Sequence, residues 1–172
     1  MRVGLRVFGV LLPLAAGAGL VTAVRAQGSR DGPAISVMAG PSRYDLSGTG
    51  TALAGGLRID IPSGRRMVIE IGATYLRYQP SQGPQVNYLL PEVSVQYILA
   101  SAGVRPYVGG GLGEGEFLSG PGAGKFTMHA TGGIRAMIAN GWGVRGEVRA
   151  RSIDPFRGHT VDLSFGLMKR FR

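Results

Sequence analysis

From Pro33 onward the chain alternates apolar and polar residues at a period of two, the pattern of half-buried β-strands. In Thr51–Ile61, Leu53, Leu57, Ile59 and Ile61 share one face, while Ala54, Gly56, Arg58 and Asp60 share the other. Arg66–Tyr75 sets Met67, Ile69, Ile71 and Tyr75 against Arg66, Glu70 and Thr74. Leu89–Leu99 sets Val93, Val95 and Tyr97 against Glu92, Ser94 and Gln96. Phe126–Ile138 carries Thr127, His129, Thr131 and Arg135 on its polar face, and Trp142–Ser152 carries Arg145, Glu147, Arg149 and Arg151. Val161–Phe171 sets Leu163, Phe165 and Leu167 against Asp162 and Ser164. Ala34–Tyr44 and Val104–Leu112 are less regular and bring the predicted strands to eight. No segment shows a convincing helical stripe.

The connections fall into two alternating classes. Short ones are Pro62–Arg65, Ala100–Gly103 and the Asn140-Gly141 turn; longer ones are Asp45–Gly50, Gln79–Gln85, Glu114–Gly124 and Ile153–Gly158. In a meander this gathers short turns at one end and long loops at the other. Keeping each face intact predicts a three-residue turn, Ala139–Gly141, that opposes Ile138 with Trp142. It also predicts a four-residue turn, Ala100–Gly103, that opposes Leu99 with Val104. A one-residue slip would send charges to the apolar face.

Composition narrows the class. The 172 residues suit one domain and include 30 glycines, no cysteine and only 17% charged residues. Disulfide scaffolds, thiol catalysis and lipoprotein anchors are thereby excluded. Residues 1–26 read as a cleaved secretory signal peptide: Arg2 and Arg6, the uncharged apolar run Val7–Val24, then Val24-Arg25-Ala26 before Gln27. Residues 27–172 are the predicted barrel domain. Removing the leader takes Arg2, Arg6 and Arg25 from the formal charge of +9 and leaves +6. The remaining basic residues are scattered, and an exported chain of this kind points to no nucleic-acid partner.

Parity alone does not say which face is inside. The polar faces mix signs at Arg58, Asp60, Glu70, Glu92, Arg145, Glu147, Arg149 and Asp162 and are accompanied by small residues. Such a set suits a narrow lumen in which ions pair, and buried ions need partners. Arg58 and Glu70 are expected to oppose each other directly, with Arg149 and Glu92 at comparable depth. Tyr97, Trp142 and Phe171 fall on the apolar faces at the short-turn end, half of an interfacial girdle. The expected fold is therefore all-β: an eight-stranded antiparallel up-and-down transmembrane β-barrel in contact with outer-membrane lipid. A soluble lipocalin-like carrier, with Leu53, Ile69, Val93 and Leu163 inside, is the alternative that parity permits.

Leu90-Pro-Glu-Val-Ser-Val-Gln-Tyr97, Arg105-Pro-Tyr-Val-Gly-Gly-Gly-Leu-Gly113 and Gly132-Gly-Ile-Arg-Ala136 resemble the small outer-membrane β-barrel family. That family includes the transmembrane domain of outer membrane protein A and the opacity-type surface proteins. The resemblance spans Pro33–Phe171 and implies architecture and a bacterial outer-membrane location. Ser164–Phe171 is similar to the terminal strand read by the barrel-assembly machinery, which it implies as a partner. It departs from that pattern at Lys169 and by having Arg172 after the terminal aromatic.

Candidate chemistry is thin. Gly120–Lys125 lacks the spacing of a phosphate loop, with Ser119 where glycine is required and Phe126 where Ser or Thr is required. Gly109, Gly111 and Gly113 are expected to face the lumen and leave room for arginines. His129-Ala-Thr131 resembles the His-x-Ser of a lipid A deacylase only superficially, because parity places both residues inside. His159 is expected to be exposed, and two histidines on separate strands make no metal pattern. No catalytic, cofactor or metal site is expected. The expected role is structural or surface-interacting through four external loops, whose ligand the residues do not identify, with a narrow pore as the other alternative. The last predicted strand reaches the C-terminus, so no attached periplasmic domain is expected.

Overall fold

A computed structural model describes residues 32–46, 48–100, 102–118, 124–154 and 156–171. The leader, Arg172 and residues 120–123 of the glycine-rich segment lie outside them. Eight strands follow in order: β1 Ala34–Asp45, β2 Thr49–Pro62, β3 Met67–Tyr78, β4 Val86–Ile98, β5 Val104–Phe117, β6 Lys125–Ala139, β7 Trp142–Ile153 and β8 Gly158–Arg170. Each pairs antiparallel with its neighbour, and β1 pairs β8, so the sheet closes into a barrel.

The faces settle the polarity. Arg145, Arg149 and Glu70 are 1% exposed, while Leu53, Val93 and Leu163 are 73%, 52% and 43% exposed. Apolar side chains therefore point outward and charges inward. The soluble-carrier alternative required the reverse and is overturned. A closed barrel leaves no unpaired sheet edge in lipid, and an outward apolar band is what a bilayer demands.

Three local expectations change. The strands are longer at the loop end; three of its connections shrink, to residues 46–48, 118–124 and 154–157, while 79–85 keeps its expected bounds. Asp45 pairs both Thr49 and His159, because the backbone ladder continues through polar residues that periodicity reads as loop. Connections at the other end are 63–66, 99–103 and 140–141, so length no longer separates the two ends. Next, Ile98 pairs Tyr107, and Leu99 N–H donates to Pro106 O at 2.8 Å. Leu99 thus opposes Pro106 rather than Val104; a two-residue shift keeps every face and is invisible to parity. Finally, Ala139 pairs Trp142 across a two-residue turn in which Asn140 and Gly141 have φ of 51° and 78°. This is the mirror-image turn that matches strand twist. A bulge between Met137 and Ala139 restores the parity that a three-residue turn was expected to restore.

Candidate functional site

The lumen is the built site. Five arginines, Arg58, Arg135, Arg145, Arg149 and Arg151, meet five carboxylates, Asp60, Glu70, Glu92, Glu147 and Asp162, and all ten are buried. Most of the acids stand on β2, β3 and β4, and most of the arginines on β6 and β7, the opposite wall. Along the walls like charges are neighbours: Asp60 opposes Glu70, and Arg135 opposes Arg145. Such pairs repel. Contact across the lumen resolves the repulsion. Arg135 Nη1 lies 3.0 Å from Asp60 Oδ2, and Arg145 Nη1 lies 3.3 Å from Asp60 Oδ1. Arg145 Nη2 also bonds Glu70 and Glu147.

Arg149 is the hub of the middle layer. Its Nη1 donates to Glu92 Oε2 at 2.9 Å, its Nε to Glu147 Oε1 at 3.0 Å and its Nη2 to Glu70 Oε1 at 2.5 Å. Arg151 holds Glu92 through two nitrogens, at 2.6 and 2.9 Å, and reaches Asp162 on β8. Arg149 and Glu92, placed at one depth by the strand pattern, therefore touch. Arg58 and Glu70 do not oppose each other directly: Glu70 pairs Asp60, Arg58 pairs Gly72, and Arg58 Nε reaches Glu70 diagonally at 3.7 Å.

Neutral groups complete the network. Tyr107 hydroxyl donates to Glu147 Oε2 at 2.7 Å and accepts from Arg145 Nε at 2.8 Å, and its ring packs under Arg135 at 4.5 Å. Gln96 donates to Glu70 Oε2 at 2.8 Å and accepts from Arg135. Sequence reasoning placed Arg135 and Arg151 inside but assigned them no partners, and it left Tyr107 out. The parity of Tyr107 matches that of Gly109, Gly111 and Gly113, which was the available signal. Those glycines abut Gln96, His129 and Glu92 rather than arginines.

Ser94, His129 and Glu92 form a second cluster that sequence reasoning did not assemble. Ser94 Oγ is 2.7 Å from His129 Nε2, and His129 Nδ1 is 3.1 Å from Glu92 Oε1, off the line of a hydrogen bond. The order resembles an acyl-transfer triad. Access is missing: Ser94 is 1% exposed, and the His129 and Glu92 side chains are fully buried. A Cβ on Gly111 would stand 2.7 Å from His129 Cε1, so even a methyl group does not fit there. Thr131 faces inward nearby and bonds Val148 O, not His129. His159 is exposed.

Above the ions, the loop end of the lumen is apolar. Tyr44, Leu76, Tyr78, Tyr88, Leu90 and Ile153 are buried together. Tyr44 and Tyr78 rings lie 5.4 Å apart, and Tyr88 and Phe117 rings 4.8 Å apart. These residues continue the lumen parity of their strands. On the outer wall the β2–β3 ladder stops at Ala54–Leu76, although β2 runs on to Thr49 and β3 to Tyr78. A cleft of about 370 Å³ opens there between Leu53, Tyr75 and Arg77. Tyr44 closes it from within, its hydroxyl bonding Gln79 N–H and O at 3.1 and 3.2 Å. At the turn end Tyr97, Trp142 and Phe171 are each about half exposed, at 45%, 50% and 45%.

No family profile and no curated relative matches the chain. Solved structures do. Neisserial surface protein A matches with a TM-score of 0.70 at 13% identity, covering 84% of this chain and 100% of that one. Ail, the attachment invasion locus protein of Yersinia pestis, matches at 0.59 and 14% identity, covering 82% and 99%. The outer membrane enzyme PagL matches at 0.50 and 18% identity, covering 80% and 99%. With its inverted polarity and closed eight-strand meander, the chain has the fold of the small outer-membrane β-barrel proteins.

Proposed function

We infer that this chain is a non-enzymatic barrel of the bacterial outer membrane, with a structural or surface-interaction role carried by the loop end. One observation carries the reading: the lumen is filled from wall to wall by a balanced ionic network and capped by buried tyrosines. Eight strands enclose room for side chains and little else. Any recognition then falls to the loops, which a rigid scaffold holds in place. Surface protein A and the attachment protein Ail share this architecture, which supports the reading without naming a ligand.

The chain carries a leader over residues 1–26, and the mature protein begins at Gln27. The β8 strand and Phe171 serve as the signal to the assembly machinery. Tyr97, Trp142 and Phe171 mark one membrane interface. Reconstitution into planar bilayers tests the closed lumen: no steady conductance is expected, and a stable open channel would overturn it. Treatment with a fluorophosphonate tests the non-enzymatic reading, because an activated serine reacts with that probe. Ser94 should remain unlabelled in the folded barrel; a labelled Ser94 would make the His129 cluster an active site.

A further inference from the structure

The five-to-five balance of the lumen leaves the remaining charge at the two rims. At the loop end Arg43, Arg77, Lys125 and Arg157 are matched by Asp45, Glu114, Glu116 and Asp154. At the turn end stand Arg65, Arg66, Arg105, Lys169 and Arg170. Among the described residues, the acid that lines this mouth is buried Asp60, already held by Arg135 and Arg145; Arg105 and Arg170 have partners of their own. Among the described residues, the whole excess of positive charge sits on one rim.

Two of these cations are seated on outward aromatic residues at the edge of the apolar belt. Lys169 Nζ lies 4.8 Å over the Trp142 ring and donates to Asn140 O at 2.9 Å. Arg66 Nη1 donates to Tyr97 hydroxyl at 3.4 Å. An aromatic girdle explains why Tyr97 and Trp142 stand at an interface, but it predicts no sign of charge. Cations lifted to the same depth do: they meet the layer of phosphates beyond the acyl chains. Inside the rim, Arg65, Arg66, Arg105 and Arg170 also line the mouth of the lumen.

We propose that the turn-end rim is a docking surface for the headgroups of anionic glycerophospholipids, with Arg66 and Lys169 contacting phosphate beside Tyr97 and Trp142. The proposal rests on the reading that the barrel spans a membrane. Each cation near an anionic lipid surface strengthens attraction by about fivefold. The balanced loop rim has no such preference.

Trp142 is the single tryptophan and stands in this surface, which makes it the reporter. The full chain is refolded into phosphatidylcholine vesicles that contain either brominated phosphatidylglycerol or brominated phosphatidylcholine. Quenching of Trp142 then gives the relative affinity of the two lipids at the rim. A preference for phosphatidylglycerol of about fivefold or more is expected at low salt, with collapse toward unity at high salt. Combining Arg66→Gln with Lys169→Gln should remove most of it, whereas Arg157→Gln at the loop end should leave it intact. Equal quenching by the two lipids would overturn the proposal, as would a preference that survives the double substitution. Heat-modifiable gel mobility in phosphatidylcholine alone separates the two ideas. A folded barrel without lipid preference sinks only the rim proposal, and no inserted barrel sinks the membrane reading beneath it.

Discussion

Replacing Arg149 with alanine removes three hydrogen bonds at once, to Glu70, Glu92 and Glu147 on β3, β4 and β7. None of those carboxylates is left alone. Arg145 still holds Glu70 and Glu147, and Arg151 still holds Glu92. The network as a whole is left with one more acid than base in a site that is about 1% exposed. Breaking a buried pair from one side costs about 3–5 kcal/mol, because it strands a desolvated charge. Since each acid keeps an arginine, the loss should fall at the lower end, about 3 kcal/mol. Equilibrium unfolding in guanidinium, followed by Trp142 fluorescence and by gel mobility, reads this directly. Arg149→Met combined with Glu147→Gln restores the charge balance at similar volume and should recover much of the loss. Two results would refute the reasoning: Arg149→Ala within about 0.5 kcal/mol of wild type, or a balanced double variant no better than the single one. The first would mean the contacts of Arg149 contribute nothing measurable; the second would mean neither charge balance nor volume, but the directed hydrogen bonds to Glu70, Glu92 and Glu147, is what Arg149 supplies.

Three further outcomes are expected. Gly111→Ala forces a Cβ to within 2.1 Å of Val93 O and should destabilise the barrel by about 1–3 kcal/mol in the same titration. Gly141→Ala puts a side chain at φ +78° and 2.7 Å from Arg170 O. It should cost roughly 1–2 kcal/mol and slow refolding of the β6–β7 hairpin, seen as a delayed mobility shift. Lys125 donates to Asp154 at 2.9 Å and holds its carboxyl below the usual carboxylate range. A lowered native value means this contact stabilises fully at neutral pH and is lost as pH falls through that native value. A carboxyl NMR titration of Asp154 should show the low midpoint, and Lys125→Gln should return it to the ordinary range.

The period-two pattern carried the architecture because alternation is local: each residue's face follows from its parity, whatever its partner. Eight strands, the inward set from Arg58 to Asp162 and the outward set from Leu53 to Phe171 were legible on that ground. Strand ends were not, because Asp45 and His159 pair through backbone groups that side-chain chemistry does not report. Register was not legible either. Leu99 opposite Pro106 and Arg58 diagonal to Glu70 differ from the expected pairings by two residues, a shift that changes no face. The bulge beside Met137 was likewise hidden, since it and a three-residue turn satisfy the same parity. The partners inside the lumen lay furthest from view. Arg145 and Glu70 are 75 residues apart, and Arg149 and Glu92 are 57 apart. Between neighbouring strands, Asp60 opposes Glu70 and Arg135 opposes Arg145, like charges that repel. Only closing β1 onto β8 brings the basic wall within an arginine's reach of the acidic one. The sequence alone therefore determined which residues face inward, and the tertiary structure decided which charges neutralise one another, because that depends on distances across a closed barrel.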